Sequence, residues 1–290
     1  MKTYQIGDIY FSYESENYEM KKSEWTSAFE VDSSVKEKLK REIVYEFYWE
    51  NWEKLRETRP IVKTSVYELY EWEADKILIY HWESCRFAFG FRLSDIESKD
   101  RVPCYLNPKM RELHPLHELK LFAAAGMHRK LLQEDGVVFH AAYVEWKGNA
   151  ILFAGISGTG KSTQAELWET YTEARIINGD RALLKKKEGI WYAYGYPICG
   201  SSDISKNETY PIRAIVLIEQ DKENEVHSVT AGEGIRALLT GCEVHVWNQH
   251  EISKVADIAE KVQKEVPIIR LKCRKDEQAV TVLKKYLEDK

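Results

Sequence analysis

The sequence has few cysteines, and they lie far apart. They are Cys85, Cys104, Cys199, Cys242 and Cys273. No two have the spacing of a C-x-x-C pair, and an odd, scattered set argues against both a disulfide framework and a structural zinc site. We interpret them as ordinary buried or half-buried thiols.

Long apolar runs and a surplus of positive charge are also missing. No run approaches the roughly 18 apolar residues that a membrane span needs, and residues 1–8 lack the apolar core of a signal peptide. The net charge is −5, so no global basic field would attract DNA or RNA. We expect a cytoplasmic protein that binds neither membrane nor nucleic acid.

What remains is the composition of a globular protein, with 44% hydrophobic and 31% charged residues. Its 290 residues suffice for one large domain or two modest ones. The N-terminal part is rich in Trp, Tyr and Glu and poor in Gly. Turn-forming residues at 100–109 mark the point where this composition changes. We predict a β-rich domain over residues 1–112, with a role in recognising an acceptor, and a second domain over residues 113–290.

Two patterns organise the first domain. Residues 65–73, 76–82 and 85–91 alternate like three successive strands with short turns. Apolar residues over 35–55 fall close to one helical face, and Ser34 and Glu37 have the spacing of a capping box. The sequence therefore predicts one long helix among the strands.

The second domain contains a glycine-rich phosphate-binding motif. Gly155–Thr163 reads G-x-x-x-x-G-K-S-T with one further glycine inside, after an apolar strand and before a helix-like run. Such a loop wraps a polyphosphate with its backbone N–H groups at the positive end of the helix. The residues predicted to hold the nucleotide are Gly155, Ser157, Gly158, Thr159, Gly160, Lys161, Ser162 and Thr163.

Two side chains of this motif have specific predicted roles with ATP and Mg²⁺. Lys161 should reach the β- and γ-phosphates, and the Ser162 hydroxyl should bind Mg²⁺. A loop of this kind binds a nucleotide but does not decide the reaction, because a kinase also needs an acceptor oxygen and usually a carboxylate that takes its proton.

Asp180 and His140 are the candidates for that further chemistry. Asp180 follows the strand after the loop helix, where it could act as base or as Mg²⁺ ligand. It could instead be a turn residue that bonds its own backbone. His140 lies within an apolar strand, where it is either a core residue or a group near the phosphates.

A third candidate segment is rich in Gly and Ser. Gly195–Asp203 could form a second anion-binding loop, with Lys206 and Arg213 offsetting the charge of a transferring phosphoryl group. An ordinary surface loop explains the same residues equally well.

The order of elements in the second domain favours a mixed sheet within an α/β fold. We predict helices at 116–133, 161–170, 232–239, 251–264 and 276–287, and strands at 137–144, 150–154, 174–177, 213–219 and 266–271. A hairpin around Lys187–Gly189 interrupts the alternation of strand and helix. A doubly wound sheet would show a helix after every strand.

The second domain resembles the HPr kinase/phosphorylase family and its HPr-kinase-like relatives. The resemblance rests on the order of three elements: His140 in a strand, the loop Gly155–Ser162, and then Asp180. It implies a fold related to phosphoenolpyruvate carboxykinase, transfer of a terminal phosphate to a hydroxyl, Asp180 as base, His140 near the phosphate, and homo-oligomers. The family has two successive Asp residues where this chain has Gly179-Asp180, and the segments 197–202 and 271–273 resemble the branch that includes kinases of peptide-modification pathways.

The leading hypothesis is an Mg²⁺-dependent kinase that uses ATP and phosphorylates a serine of a peptide or protein, or a small-molecule alcohol. One alternative is a nucleotide hydrolase with a mechanical or regulatory role. Another is an ATP-sensing binding module without turnover.

Overall fold

The chain separates into two compact units, Met1–Lys130 and Leu131–Lys290. The computed structural model describes residues 2–14, 18–32 and 41–289. The boundary predicted between residues 112 and 113 lies N-terminal to this division. Each unit combines helices with one mixed sheet, as the predicted α/β class requires.

The described residues of the N-terminal unit form a nine-stranded sheet in the order β3-β1-β2-β4-β9-β8-β7-β6-β5. Strand β4 pairs in parallel with both β2 and β9, and the other pairs are antiparallel. The strands are β1 Lys2–Ile6, β2 Ile9–Glu14, β3 Glu30–Val31, β4 Glu42–Trp49, β5 Val62–Lys63, β6 Tyr67–Trp72, β7 Asp75–Trp82, β8 Cys85–Arg92 and β9 Arg101–Leu106. The three strands predicted between residues 65 and 91 are confirmed as β6, β7 and β8.

The long helix predicted over residues 35–55 is wrong wherever the structure describes it. Residues 42–49 form β4, and a short 3-10 helix follows at Glu53–Glu57; the predicted cap at Ser34 and Glu37 lies outside the described residues. Ile43 and Phe47 are four residues apart, a spacing that fits one face of a helix and equally one face of a strand. Tyr45 between them is also buried, and such β-branched and aromatic side chains suit a buried strand.

Short helices complete this unit: α1 Glu24–Ser27, α2 Leu93–Ser98 and α3 Glu118–Ala124, followed by α4 Met127–Gln133. The single helix predicted over 116–133 is therefore wrong, because Gly126 interrupts it with a φ of +69°. A Cβ at that position would lie 2.8 Å from Cγ2 of Ile96. Only glycine accepts both the left-handed backbone and the close approach.

The described strands of the C-terminal unit form an eight-stranded mixed sheet. They are β10 Gly136–Trp146, β11 Asn149–Ala154, β12 Arg175–Asn178, β13 Arg181–Lys187, β14 Ile190–Tyr194, β15 Thr209–Gln220, β16 Glu225–Ser228 and β17 Ile268–Cys273. β11 lies between β10 and β15, and the pairs β10–β13, β13–β14 and β14–β15 close these five strands into a ring. The hairpin predicted around residues 187–189 is confirmed as β13–β14.

Helices cover both faces of this sheet: α5 Lys161–Tyr171, α6 Ala231–Gly241, α7 Gln249–Glu265 and α8 Glu277–Glu288. Alternate residues of β10 and β11 belong to two different apolar clusters, as expected for a sheet buried on both sides. One cluster includes Leu238 and Ile258 from α6 and α7. The other includes Trp168 and Leu283 from α5 and α8.

None of the helices in the described part of the chain has the length and apolar character that a membrane span requires.

Candidate active site at the glycine-rich loop

The glycine-rich loop connects β11 to α5, in the context that the sequence predicted. Gly160 has a φ of +102° and caps α5, whose first residue is Lys161. Gly155 has a φ of +150°, and a Cβ there would lie 2.8 Å from Oγ1 of Thr159. The loop thus folds tightly on itself at its start and turns left-handed where the helix begins, so that the first N–H groups of α5 face the loop.

The Lys161 side chain folds back across the loop. Its Nζ donates hydrogen bonds to the carbonyl oxygens of Gly155 at 3.1 Å and Ile156 at 3.3 Å. Burial lowers the pKa of the Lys161 ammonium, and the nearby negative charge of Asp180 partly opposes this effect. The amine therefore lies within the electrostatic reach of Asp180, although the two residues belong to different elements.

Asp180 lies at the corner between β12 and β13, and Asn178 shapes that corner. The Asn178 side-chain oxygen accepts hydrogen bonds from the backbone N–H groups of Asp180 and Arg181, each at 2.8 Å. Its amide donates to the carbonyl oxygens of Tyr196 at 2.7 Å and Ile198 at 3.1 Å. Asn178 is fully buried, so its four hydrogen bonds fix the backbone that carries the Asp180 carboxylate.

His140 lies beside Asp180. Nδ1 of His140 is 3.5 Å from Oδ1 of Asp180, because His140 is opposite Arg181 in the β10–β13 pair. Burial lowers the pKa of His140; Asp180 acts against this shift, while Lys161 and Arg181 reinforce it. The lowered pKa favours the neutral imidazole, whose Nδ1 faces the carboxylate.

Arg181 adds a cation to this corner. Its Nε lies 3.7 Å from Oδ2 of Asp180 and 3.7 Å from Oε2 of Glu243. Glu243 is brought here by its backbone N–H, which donates to the carbonyl oxygen of Val138 at 2.8 Å. Sequence reasoning missed Asn178, Arg181 and Glu243. The first two flank a residue already singled out, whereas Glu243 is distant in sequence and carries no local signal.

Ser162 joins the loop to the same corner. Its Oγ lies 3.4 Å from the carbonyl oxygen of Gly179, the residue before Asp180. The Ser162 hydroxyl of α5 therefore lies close to the backbone that carries the Gly179 carbonyl and the Asp180 carboxylate. Hard oxygen donors of this kind suit Mg²⁺, so the residues present fit the cation that the loop motif implies.

The Gly195–Asp203 segment packs behind Asp180. A Cβ on Gly200 would lie 3.0 Å from Cβ of Asp180, and one on Gly179 would lie 2.2 Å from Cβ and Oγ of Ser202. The segment therefore leaves no room for a side chain at residue 179. Its hydrogen bonds to Asn178 give it a supporting role, and its use as an anion-binding loop stays a prediction.

Arg213 is engaged elsewhere. Its Nη2 donates to the carbonyl oxygen of Leu287 at 2.7 Å, near the C-terminal end of α8. This contact opposes the role suggested for Arg213 in offsetting phosphoryl charge. Four of the other predicted residues, His140, Lys161, Ser162 and Asp180, lie in or beside the loop.

The fold and this corner define an α/β protein with a glycine-rich loop between a strand and a helix, beside a carboxylate–histidine pair. The chain belongs to the ScmC family: the family model described as SynChlorMet cassette protein ScmC matches residues 102–274, more than half of the chain. No curated protein is similar enough to count as a match.

One similar solved structure is that of the Hpr(Ser) kinase/phosphatase from Coxiella burnetii. It is 10% identical, with a TM-score of 0.31, and the similarity covers 52% of this chain and 93% of that one.

Proposed function

We propose that this protein is an Mg²⁺-dependent kinase that transfers the γ-phosphate of ATP to a hydroxyl group. The acceptor is a serine of a peptide or protein, or a small-molecule alcohol. The observation that supports this best is the pair of His140 and Asp180, 3.5 Å apart, next to the glycine-rich loop, where the Ser162 hydroxyl lies 3.4 Å from the carbonyl oxygen of Gly179. We assign recognition of the acceptor to the N-terminal part of the chain.

The loop would hold the triphosphate through its backbone N–H groups and the N-terminus of α5. Lys161 now donates to the loop carbonyls. Bound phosphates offer it stronger, charge-assisted acceptors, so the ammonium would exchange those contacts for phosphate oxygens. The residues in this role are Gly155, Ser157, Gly158, Thr159, Gly160, Lys161, Ser162 and Thr163.

Ser162 and Asp180 would hold Mg²⁺ through a hydroxyl and a carboxylate oxygen. When bound, this cation neutralises part of the charge that develops on the phosphoryl oxygens. Arg181 lies next to Asp180 and adds a positive charge from the protein itself.

Asp180 is the proposed general base. The acceptor oxygen attacks the γ-phosphorus, the bond from this phosphorus to the bridging oxygen breaks, ADP leaves, and Asp180 takes the hydroxyl proton. His140 is neutral and 3.5 Å from the carboxylate, so it orients Asp180 without removing the negative charge that a base needs.

We also propose that the protein is related to HPr-kinase-like proteins and has a fold related to phosphoenolpyruvate carboxykinase. The basis is the order along the chain of His140, the glycine-rich loop and Asp180. Location in the cytoplasm and assembly into homo-oligomers belong to this proposal too.

The decisive experiment follows the label of γ-labelled ATP into a host-cell extract that is then separated by size. We expect label in macromolecules or in an organic small molecule, which identifies the acceptor class. Lys161→Ala should lower transfer at least ~10²-fold, about 3 kcal/mol of lost transition-state stabilisation. Lys187→Ala, which changes an exposed lysine of the β13–β14 hairpin, is the matched control and should transfer normally.

The other outcomes point to the alternatives. Label found only as free phosphate, and lost in Lys161→Ala, would identify a nucleotide hydrolase. Tight ATP binding without any chemistry would identify an ATP-sensing module. Normal transfer by Lys161→Ala would contradict the proposed site.

A further inference from the structure

An apolar depression lies against the outer side of the glycine-rich loop. It has a volume of about 520 Å³, and its lining includes Ile156, Gly158, Leu217, Gln220 and Arg270. Ile156 is 78% exposed although it belongs to the loop itself. Together with Leu217, this exposed side chain gives the depression an apolar lining directly beside the phosphate-binding motif.

The depression and the Asp180 corner lie on opposite sides of β11. β12 and β13, which meet at Asp180, both pair with β10. Leu217 and Gln220 belong to β15, the neighbour of β11 on its other side. A triphosphate held by the loop would therefore have its reacting end at Asp180 and its nucleoside end toward the depression.

We propose that this depression receives the purine base of the nucleoside triphosphate, a conclusion that rests on the proposed nucleotide-binding function of the loop. Ile156 and Leu217 supply apolar contact area for a flat ring. Arg270 lies 3.3 Å from Glu219 and 2.8 Å from Glu233 through its guanidinium nitrogens. The two carboxylates hold this planar group in place, and a planar guanidinium stacks well on an aromatic ring.

The base is recognised by contact area and not by its hydrogen-bonding edge. Glu219 is paired with both Arg270 and Lys272. The Gln220 amide donates to the carbonyl oxygen of Gly158 at 3.1 Å, and the Thr159 hydroxyl donates to that of Ile156 at 2.9 Å. Each of these polar side chains already has a partner within the protein, and strong discrimination between bases needs groups dedicated to the ligand. The site therefore accepts adenine and guanine alike.

Calorimetric titration of the full-length protein with Mg²⁺·ATP, Mg²⁺·GTP and Mg²⁺·tripolyphosphate tests this assignment. We expect the affinities for ATP and GTP to agree within about threefold, because no polar group of the site is dedicated to either base. Ile156→Ala should weaken both nucleotides about tenfold, from lost apolar burial, and leave tripolyphosphate unchanged. Ile190→Ala is the matched control, because Ile190 is a 52% exposed isoleucine on β14, and it should change none of the three affinities.

Four outcomes would overturn the proposal. Unchanged ATP affinity in Ile156→Ala would contradict the base site without contradicting the phosphate-binding role of the loop. Equal weakening of tripolyphosphate would mean that Ile156 only shapes the loop. A preference of more than about thirtyfold for one purine would contradict recognition by contact area. Failure of ATP and tripolyphosphate to bind the unmodified protein would overturn the proposed function together with this inference.

Discussion

Two carboxylates, one in each unit, show how differently a protein can surround the same chemical group. Glu118 in the N-terminal unit is fully buried and accepts hydrogen bonds from the hydroxyls of Tyr4, Tyr13 and Thr26 at 2.8, 2.5 and 2.7 Å. Asp180 in the C-terminal unit is half-buried, and its contacts to His140 and Arg181 are 3.5 and 3.7 Å long. The first carboxylate has its hydrogen bonds complete, and the second keeps capacity for a ligand.

The pKa of Glu118 reflects this complete set of hydrogen bonds. Burial alone would raise the pKa of Glu118, but the hydrogen bonds from Tyr13, Thr26, Tyr4 and the Ser23 N–H together lower it. Such a group stabilises a fold and is poorly suited to take up a proton. Glu118 is thus suited to a structural role, and the incomplete hydrogen bonding of Asp180 suits the reactive role that we propose for it.

The largest effect is expected from removal of the saturated carboxylate. Glu118→Ala leaves several buried hydroxyls without their acceptor and should lower the free energy of unfolding by about 3–5 kcal/mol. Chemical denaturation measures this loss. Glu71→Ala, at an exposed position, is the matched control and should change stability by less than about 0.5 kcal/mol. A small effect at Glu118 would remove the contrast between the two carboxylates.

Removal of the other carboxylate should affect chemistry. Asp180→Asn keeps the side-chain volume and loses the base, so phosphoryl transfer should fall at least ~10²-fold, about 2.7 kcal/mol in activation free energy. Transfer assays measure the first effect, while calorimetry should show retained ATP binding. Retained transfer would show that Asp180 is not the base, and a loss of stability comparable to that of Glu118→Ala would make it a structural group.

The pH dependence should sharpen the comparison at His140. The pKa of His140 is lowered from 6.5 by burial, so the unfolded chain binds the proton more tightly than the folded one. This contribution to stability is complete above pH 6.5 and is lost as the pH falls below 6.5 toward the lowered pKa. Protonated His140 would also pair with the Asp180 carboxylate and make it a weaker base, so phosphoryl transfer should decline over the same acidic range. In His140→Gln both dependences should weaken; profiles identical to the unmodified protein would exclude His140 as their source.

The smallest effect is expected at Lys2. Its Nζ lies 3.2 Å from Oε1 of Glu118, and the lysine side chain is 37% exposed. Because the lysine reaches solvent and Glu118 keeps its hydroxyl donors, Lys2→Ala should cost no more than about 1 kcal/mol in denaturation experiments. A loss as large as that of Glu118→Ala would mean that the ion pair, and not the hydroxyls, holds this carboxylate.

The sequence predicted those features whose information is local. The loop from Gly155 to Thr163 is specified by consecutive residues, and the hairpin at Lys187–Gly189 by a turn between two alternating segments. The helix predicted over 35–55 failed because the spacing of Ile43 and Phe47 fits both a helix and a strand. Only pairing with distant β2 and β9 decides between them.

The surroundings of Asp180 were beyond prediction for the same reason. Asn178 could be read as a turn residue, but its hydrogen bonds to Tyr196 and Ile198 depend on the tertiary fold. Glu243 reaches the corner only because its backbone bonds to β10. The sequence therefore predicted which side chains would carry chemistry, and packing determined their neighbours.

The ring of strands that includes β11 has a consequence for local opening at the site. Strand β11 is paired along both edges, with β10 on one side and β15 on the other. Strands β13 and β14 connect β10 to β15 and close the ring. Its amide hydrogens can exchange with solvent only when this ring opens, whereas those of the loop after Ala154 exchange without such an event. The glycine-rich loop can thus fluctuate while β11 stays paired with both neighbours, and binding of the proposed nucleotide need not disturb the core.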